Sequence, residues 1–291
     1  MEVRNCPICE LPATSARRIG ELDANHAKLE GRKFVLAQCT GCDLIFLSPT
    51  PTEREVDAMY AASTQFDDVY RGERGEVALQ YVTGRLRALL SRNKGDRQRE
   101  FRMLEIGAGL SWMCRAAKNL NSRNITVAQD ITSEAVPECS WVDHYCIGEI
   151  MRCRELEQWA PYDVVSLTHV IEHLVDPVAV LRKIRGLTVS SGIVFLTAPH
   201  RPVGWGSRTA IETWRTWSYN HVPAHVQYFS PRSLKRAARK ADFEVIFSDF
   251  KHEDGQAFEA WLQPASPNGD SLIWFLTEMY SRIRQRLKAS R

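Results

Sequence analysis

The sequence lacks the features that mark several classes of protein. Its longest apolar run, residues 272–276, is far shorter than the roughly 20 residues that a membrane-spanning helix needs. The first residues do not show the charged and then apolar pattern of a secretory signal. The 38 basic and 35 acidic residues nearly balance, so no nucleic-acid partner is expected. The composition, 44% hydrophobic, excludes a disordered chain, and we predict a soluble, cytoplasmic globular protein.

Two nucleotide-binding signatures are also missing. An apolar stretch leads to Gly107 and Gly109, but a dinucleotide fingerprint needs a third glycine where the sequence has Trp112. No Gly-Lys-Ser/Thr follows, which excludes a Walker loop. A glycine turn directly after a strand still allows a backbone to approach a ligand closely at the carboxyl edge of a sheet. The sequence therefore predicts a ligand site at this glycine turn that is neither a dinucleotide site nor a Walker loop.

Four of the eight cysteines form two Cys-x-x-Cys pairs, Cys6 with Cys9 and Cys39 with Cys42. Four thiolates complete the tetrahedral shell of a Zn²⁺ ion, whereas disulfides are rare in the cytosol. About 50 residues bury too little surface to fold unaided, and a structural zinc contributes on the order of 10 kcal/mol. We predict a structural zinc module over residues 1–51. The other four cysteines have no metal-like spacing and are interpreted as small buried hydrophobes: Cys114, Cys139, Cys146 and Cys153.

After residue 100, apolar strands alternate with helical stretches, which predicts a parallel sheet with crossover helices. The predicted strands are 102–106, 125–129, 145–147, 163–168, 192–198, 243–250 and 257–262. The predicted helices of this region are 112–120, 177–187 and 231–241. A short strand is predicted within residues 43–51, a capping box formed by Thr52 and Glu55 starts one helix, and residues 75–92 form another. The predicted domains are a zinc module (1–51), a helical linker or cap (52–100), the sheet core (101–262) and a C-terminal helix (263–291).

The segment from Glu105 to Gly109, Glu-Ile-Gly-Ala-Gly, resembles the first motif of class I S-adenosylmethionine-dependent methyltransferases. Ser111 stands where many members have a third glycine. Residues 162–177, 192–200 and 225–243 are similar to the later strands and the last helix of that family. The resemblance implies an α/β, Rossmann-like sheet of seven strands with helices on both faces, and S-adenosylmethionine as the cofactor. The N-terminal cysteine pairs are also similar to those of bacterial methyltransferases with a zinc module, including deoxysugar C-methyltransferases.

The resemblance implies a cofactor site around the glycine turn and at the ends of the following strands. Asp130, at the end of the second core strand, would accept hydrogen bonds from the ribose hydroxyls, although it could instead be a turn carboxylate. Glu149 is a candidate for the adenine edge, and His169 lies at the cofactor edge by its position. The implied cofactor residues are Glu105, Gly107, Ala108, Gly109, Asp130, Glu149 and His169.

The run from His169 to His173 also matches the metalloprotease pattern His-x-x-Glu-His. A strand precedes it and no third ligand is evident, so a protease is not favoured. The run is similar to a divalent-metal site of ubiquinone-pathway methyltransferases, but His169 replaces the first acidic residue. A further interpretation is that Glu172 and His173 order the loop beneath the substrate, and we favour it for Glu172.

Methyl transfer requires alignment of donor and acceptor, and an oxygen or carbon acceptor also requires a base. Three histidines follow the fifth core strand, and histidine has a suitable pKa. We predict His225 as the base, with His200 as the second candidate, ahead of His221. Packing or hydrogen bonding is the alternative role for each.

Two further segments leave alternatives open. Residues 200–225 contain Trp205, Trp214 and Trp217, which form either a lid over the acceptor or a satellite hydrophobic cluster. Residues 271–291 read as an amphipathic helix that docks on the core or on a second copy of the chain in a homodimer, or lies on a membrane surface.

The sequence favours a methyltransferase that acts on a small-molecule acceptor. Its balanced charge argues against RNA or protein as the acceptor. A sugar or a secondary metabolite, methylated at oxygen or carbon, is the predicted acceptor class. Two alternatives remain: a non-catalytic, zinc-containing interaction protein on the same fold, and a methyltransferase that acts on RNA or protein.

Overall fold

The computed structural model describes residues 3–60, 72–92, 100–202, 210–251 and 256–266. Its strands are β1 (Ala16–Asp23), β2 (Lys33–Cys39), β3 (Ile45–Ser48), β4 (Arg102–Ile106), β5 (Ile125–Asp130), β6 (His144–Ile147), β7 (Tyr162–Thr168), β8 (Thr188–Pro199), β9 (Gln227–Tyr228), β10 (Phe243–Lys251) and β11 (Ala257–Pro264). Its α-helices are α1 (Glu53–Tyr60), α2 (Glu73–Arg92), α3 (Trp112–Leu120), α4 (Pro177–Leu187), α5 (Ala210–Arg215) and α6 (Pro231–Lys240).

Seven strands form the main sheet in the order β10-β11-β8-β7-β4-β5-β6. The five from β4 to β8 pair in parallel, and β11 runs antiparallel to both β8 and β10. Helices α4 and α6 share one hydrophobic cluster with the sheet, while α2 and α3 share another. Adjacent residues of β4, Met103 and Leu104, belong to these two different clusters, because side chains alternate between the faces of a strand. The predicted seven-stranded α/β fold with helices on both faces is confirmed.

Helix boundaries follow the capping residues. Helices α3 and α4 have the predicted limits, and α6 ends one residue before its prediction. Asp176 accepts a hydrogen bond from the backbone N–H of Ala179 at 2.9 Å at the start of α4. Thr52 and Glu55 form the predicted capping box ahead of α1. The strand β8 is longer than predicted and begins at Thr188, directly after α4.

A second sheet contains four antiparallel strands in the order β1-β2-β3-β9. The sequence analysis predicted only the short strand within residues 43–51 and missed β1, β2 and β9. In this sheet Ile45 pairs with Tyr228 and Phe46 with Gln227. The N-terminal segment therefore completes its sheet with a strand that follows β8 in the chain.

The described part of residues 200–225 packs against this second sheet. Trp214 is fully buried and Trp217 nearly so, in a cluster that includes Leu22, Phe34 and Leu36. These two tryptophans thus form a satellite hydrophobic cluster, whereas Trp205 lies outside the described residues. The predicted C-terminal helix over 271–291 also lies outside them, so its docking stays a prediction. None of the helices in the described ranges has the length and hydropathy needed to cross a bilayer.

Candidate functional site

A tight turn joins β4 to α3 at the carboxyl edge of the main sheet. Gly107, Gly109 and Ser111 have φ angles of 59°, 46° and 54°, in the left-handed region. A Cβ atom on Gly107 would collide with the side chain of Val170, so glycine is required there by space as well as by backbone conformation. The N–H of Ala108 donates to the carbonyl oxygen of Gln129 at 3.0 Å, which fixes the turn against β5.

The Glu105 carboxylate is buried behind this turn. It accepts hydrogen bonds from the backbone N–H groups of Met113 at 3.2 Å and Cys114 at 2.9 Å, in the first turn of α3. Burial raises the pKa of Glu105 to about 7, although the two N–H groups oppose the shift. Glu105 therefore joins the strand to the start of the helix and so shapes the turn.

Asp130 ends β5 beside the same turn. Its Oδ2 accepts a hydrogen bond from the N–H of Gly109 at 2.9 Å, and its Oδ1 accepts one from the N–H of Thr132 at 3.1 Å. These bonds match the turn-carboxylate interpretation. The ribose role of Asp130 stays a prediction.

The remaining part of this edge has an apolar surface. Ile131 follows β5, and Ile147 and Met151 lie at and after the end of β6; all three side chains are exposed. Glu149 lies between the last two and is exposed, and its Oε1 accepts the N–H of Met151 at 3.1 Å. Tyr145, which the sequence analysis missed, donates its hydroxyl to the carbonyl oxygen of Gly109 at 2.9 Å. No pattern in the sequence indicated this role for Tyr145, because its contact with Gly109 depends on the order of the strands in the sheet.

The four N-terminal cysteines converge at one point, which we call the thiol cluster. The Sγ atoms of Cys6 and Cys42 are 3.5 Å apart and those of Cys9 and Cys39 are 3.3 Å apart, too long for disulfides. All four Sγ atoms lie within 4.8 Å of one another, and all four residues are buried. The N–H groups of Cys9 and Gly41 donate to the sulfurs of Cys6 and Cys39, at 3.5 and 3.3 Å. The other four cysteines are buried, as predicted.

A second group of polar side chains, which we call the Glu172 cluster, contains Glu172, His169, His173 and His225. Glu172 is fully buried after β7, and its Oε1 lies 3.5 Å from Nδ1 of His169 and 4.0 Å from Nε2 of His225. Two backbone N–H groups, those of Val226 and the following residue, donate to the carbonyl oxygen of Glu172. The loop after β7 and the residues before β9 are therefore held together.

The structure separates the two histidines predicted as bases. His225 belongs to the Glu172 cluster, and burial lowers its pKa to about 3, so the ring is neutral near pH 7. His200 is buried at the end of β8, where its ring lies edge-on to that of Phe250 at a centroid distance of 5.3 Å. His169 is partly exposed, and its ring is stacked against Tyr219 at 6.0 Å.

The parallel sheet, the glycine turn and the acidic residue that ends β5 define a class I S-adenosylmethionine-dependent methyltransferase. A family profile described as a methyltransferase domain matches residues 78–247, more than half of the chain. The chain belongs to this family. No curated protein matches the sequence in a direct comparison.

Solved structures support the same fold. The magnesium protoporphyrin IX methyltransferase of Synechocystis PCC 6803, with S-adenosylhomocysteine bound, is 11% identical with a TM-score of 0.53, over 73% of this chain and 100% of that one. An O-methyltransferase family protein of Burkholderia thailandensis is 12% identical with a TM-score of 0.52, over 73% and 63%. A methyltransferase of Clostridium acetobutylicum ATCC 824 is 6% identical with a TM-score of 0.50, over 68% and 96%. At these identities the likeness concerns the fold alone.

Proposed function

We propose that this methyltransferase transfers a methyl group from S-adenosylmethionine to a small-molecule acceptor, a sugar or a secondary metabolite, at oxygen or carbon. The observation that carries the proposal is the convergence of Asp130 with the glycine turn at the carboxyl edge of the sheet. Ligands of open parallel sheets bind at this edge.

The residues at this edge fit the cofactor. Gly107 and Gly109 provide close backbone approach, and Asp130 would exchange its bond to the turn for bonds from the ribose hydroxyls. Ile131 and Ile147 offer an exposed apolar surface to the adenine, with Glu149 at its edge. When bound, the cofactor supplies a methyl group on a sulfonium, and the task of the protein is to align the acceptor with it.

The acceptor class rests on two supports. The net charge of +3 shows no excess that would attract a nucleic acid. The neighbour from Synechocystis is named for a small molecule, magnesium protoporphyrin IX. The base remains a proposal, with His225 first and His200 second.

We also infer that the thiol cluster holds a structural zinc ion. Four sulfurs at about 2.3 Å from a tetrahedral zinc would be about 3.8 Å apart, close to the spacing found. The N–H groups donated to two of the sulfurs stabilise thiolates, which are the ligand form. A closed shell of four thiolates leaves no position for catalysis.

Calorimetric titration of the zinc-loaded protein with S-adenosylhomocysteine tests the cofactor site. The wild type is expected to bind with micromolar affinity, and Asp130→Ala to bind about tenfold more weakly, a loss of about 1.4 kcal/mol. Asp249→Ala, which removes an exposed carboxylate on β10, is the matched control and should bind like the wild type.

No binding by a folded wild type would reject the enzyme and favour the interaction protein. Unchanged affinity in Asp130→Ala would reject the ribose role. Screening acceptors with a labelled methyl donor then separates small molecules from RNA and protein.

A further inference from the structure

Helices α4 and α6 carry an unbalanced charge, because neither contains an aspartate or a glutamate. Their eight basic residues are Arg182, Lys183 and Arg185 on α4, and Arg232, Lys235, Arg236, Arg239 and Lys240 on α6. Without these eight, the chain has 30 basic and 35 acidic residues. The near balance of the whole sequence therefore conceals one strongly basic region.

The basic residues of α6 lie on one side of the helix. They recur at spacings of three and four residues, which places them together and opposite the buried Leu234, Ala237 and Ala238. Lys235 and Arg239 are exposed. The row is about 12 Å long, since a helix rises about 1.5 Å per residue.

The arginines of α4 lie against the C-terminal end of this row. Nε of Arg182 donates to the carbonyl oxygen of Lys240 at 2.9 Å, and Nε of Arg185 donates to that of Asp242 at 3.3 Å. The two helices therefore form one continuous surface. We call the surface of the eight basic residues the basic face.

Acidic side chains offset only part of this charge. Oδ2 of Asp43 lies 3.6 Å from Arg232, and Glu10 pairs with Lys240. Arg232 and Asp43 are both about half exposed, and exposed ion pairs are weak. Even with Asp242, the acidic residue that follows α6, the cations exceed the carboxylates by more than two to one.

The part of the chain that the structure describes ends beside the basic face. The N–H of Ala265 donates to the carbonyl oxygen of Asp242 at 2.9 Å, the atom to which Arg185 also donates. Residues 267–291, which lie outside the described ranges, contain the apolar run 272–276 and have five basic and two acidic residues. A segment that is both apolar and basic therefore begins next to the basic face.

This combination favours a membrane over a nucleic acid as the anionic partner. A nucleic-acid backbone is bound through cations, whereas membrane-surface segments combine cations with apolar and aromatic side chains that enter the headgroup region. The run 272–276 includes Trp274 and Phe275, and arginines follow it. The apolar and the cationic parts are thus both present.

We propose that the basic face and the segment after residue 266 bind the protein to a membrane surface that contains anionic phospholipids. The cations of α4 and α6 lie against the lipid phosphates, and residues 272–276 enter the boundary between headgroups and acyl chains. The inference does not rest on the proposed function, because it uses neither the glycine turn nor Asp130.

Co-sedimentation with vesicles tests the proposal with the full, zinc-loaded chain. The vesicles contain phosphatidylcholine and phosphatidylglycerol at about 2:1, and vesicles of phosphatidylcholine alone are the reference. We expect binding to the mixed vesicles to be tighter by about tenfold or more, and to weaken with added salt, because salt screens the charges. No binding to the mixed vesicles, or equal binding to both kinds, overturns the proposal.

Charge-removing variants locate the surface. Lys235→Gln/Arg239→Gln should weaken binding to the mixed vesicles by about 30-fold, since each cation near such a membrane contributes about fivefold. Arg74→Gln/Arg87→Gln is the matched control, because it removes two exposed arginines from α2, on the other side of the main sheet, and it should bind like the wild type. Equal weakening in both variants would reject the basic face. Circular dichroism and zinc content show that each variant is folded.

The other partners are separated by two further measurements. Trp274→Ala/Phe275→Ala should weaken vesicle binding by about tenfold or more. If this variant instead converts a dimer into a monomer in sedimentation velocity and binds vesicles as before, the segment is a contact between copies of the chain. Tighter binding of a labelled RNA duplex than of the mixed vesicles would assign the basic face to a nucleic acid, and either result overturns the proposal.

Discussion

The thiol cluster and the Glu172 cluster differ in how their polar atoms are partnered. In the thiol cluster four identical ligands surround one point, and two of the sulfurs also accept backbone N–H groups. In the Glu172 cluster three histidines lie around one buried carboxylate, with Oε1 of Glu172 at 3.5 Å from Nδ1 of His169 and 4.0 Å from Nε2 of His225. The first arrangement is closed and suits a metal that stabilises the fold. The second arrangement has no such closed shell and is held by backbone hydrogen bonds between two loop segments.

The small four-stranded sheet connects the two clusters. Cys39 and Cys42 flank the turn between β2 and β3, and β3 pairs with β9, which directly follows the segment that carries His225. A change in one cluster can therefore reach the other through the small sheet. Three of the following four experiments address the two clusters, and one concerns Glu105, a buried carboxylate outside both, for comparison with Glu172.

The largest effect is expected at the thiol cluster. Cys39→Ala should lose the zinc and with it most of a binding free energy on the order of 10 kcal/mol, so that the N-terminal segment unfolds. Cys139→Ala, at a buried cysteine outside both clusters, should cost only about 1 kcal/mol for the small void. Thermal unfolding with zinc analysis measures both. Similar melting and equal zinc content in the two variants would mean that the thiol cluster does not hold a stabilising zinc ion.

The second experiment concerns a buried carboxylate that has its hydrogen bonds. The pKa of Glu105 is raised from 4.5 to about 7, so its contribution to stability is complete below pH 4.5 and is lost as the pH rises to 7. This difference between the two pKa values of Glu105 corresponds to about 3 kcal/mol of unfolding free energy. Between pH 4.5 and 8 the free energy of unfolding of the wild type should therefore fall by about 3 kcal/mol more than that of Glu105→Gln, as measured by urea unfolding. Parallel pH profiles would mean that Glu105 is not desolvated.

The third experiment cuts the brace of the Glu172 cluster. Gln227→Met removes the two hydrogen bonds to the carbonyl oxygens of Ile171 and Leu174 and leaves these acceptors buried, at a cost of about 2 kcal/mol. Denaturant unfolding should show this loss, while the zinc content stays at one. A simultaneous loss of zinc would show that the two clusters are one cooperative unit.

The smallest effect is expected at the contact between α6 and the thiol cluster. Ser230 caps α6 and donates its hydroxyl to the carbonyl oxygen of Cys42 at 3.2 Å. Ser230→Ala should cost about 1 kcal/mol, with no change in zinc content. The exposed Ser218 gives the control variant Ser218→Ala, which should match the wild type in the same unfolding measurement. Equal stability of the two variants would mean that the cap and the contact of Ser230 with Cys42 do not contribute to stability.

Local patterns in the sequence predicted much of the core. The turn after β4, the capped starts of α4 and α6 and the two cysteine pairs are each contained within a few neighbouring residues, and the structure has the elements where these patterns placed them. Such features depend on backbone geometry and short spacings, which a single sequence displays directly. The roles assigned to Asp130 and Glu149 in cofactor binding remain predictions.

Features that depend on distant parts of the chain could not be predicted in the same way. The strand β9 has only two residues, so it has no readable alternation, and its partner β3 lies near the other end of the sequence. The aromatic segment that contains Trp214 and Trp217 could equally form a lid over an acceptor. Only the fold shows that both side chains pack against β1 and β2. Likewise, nothing in the spacing of Glu172 and His225 indicates that they meet.

The pairing of β3 with β9 has a consequence for the order in which the molecule is made. During synthesis the four thiols are complete once Cys42 has left the ribosome, whereas the partner of β3 is complete only after Tyr228. Until then β3 is an edge strand with open hydrogen-bonding groups, a common starting point for wrong pairing between chains. A nascent chain can thus fold its first cysteine turns early and still carry an unfinished sheet until Tyr228 has been translated.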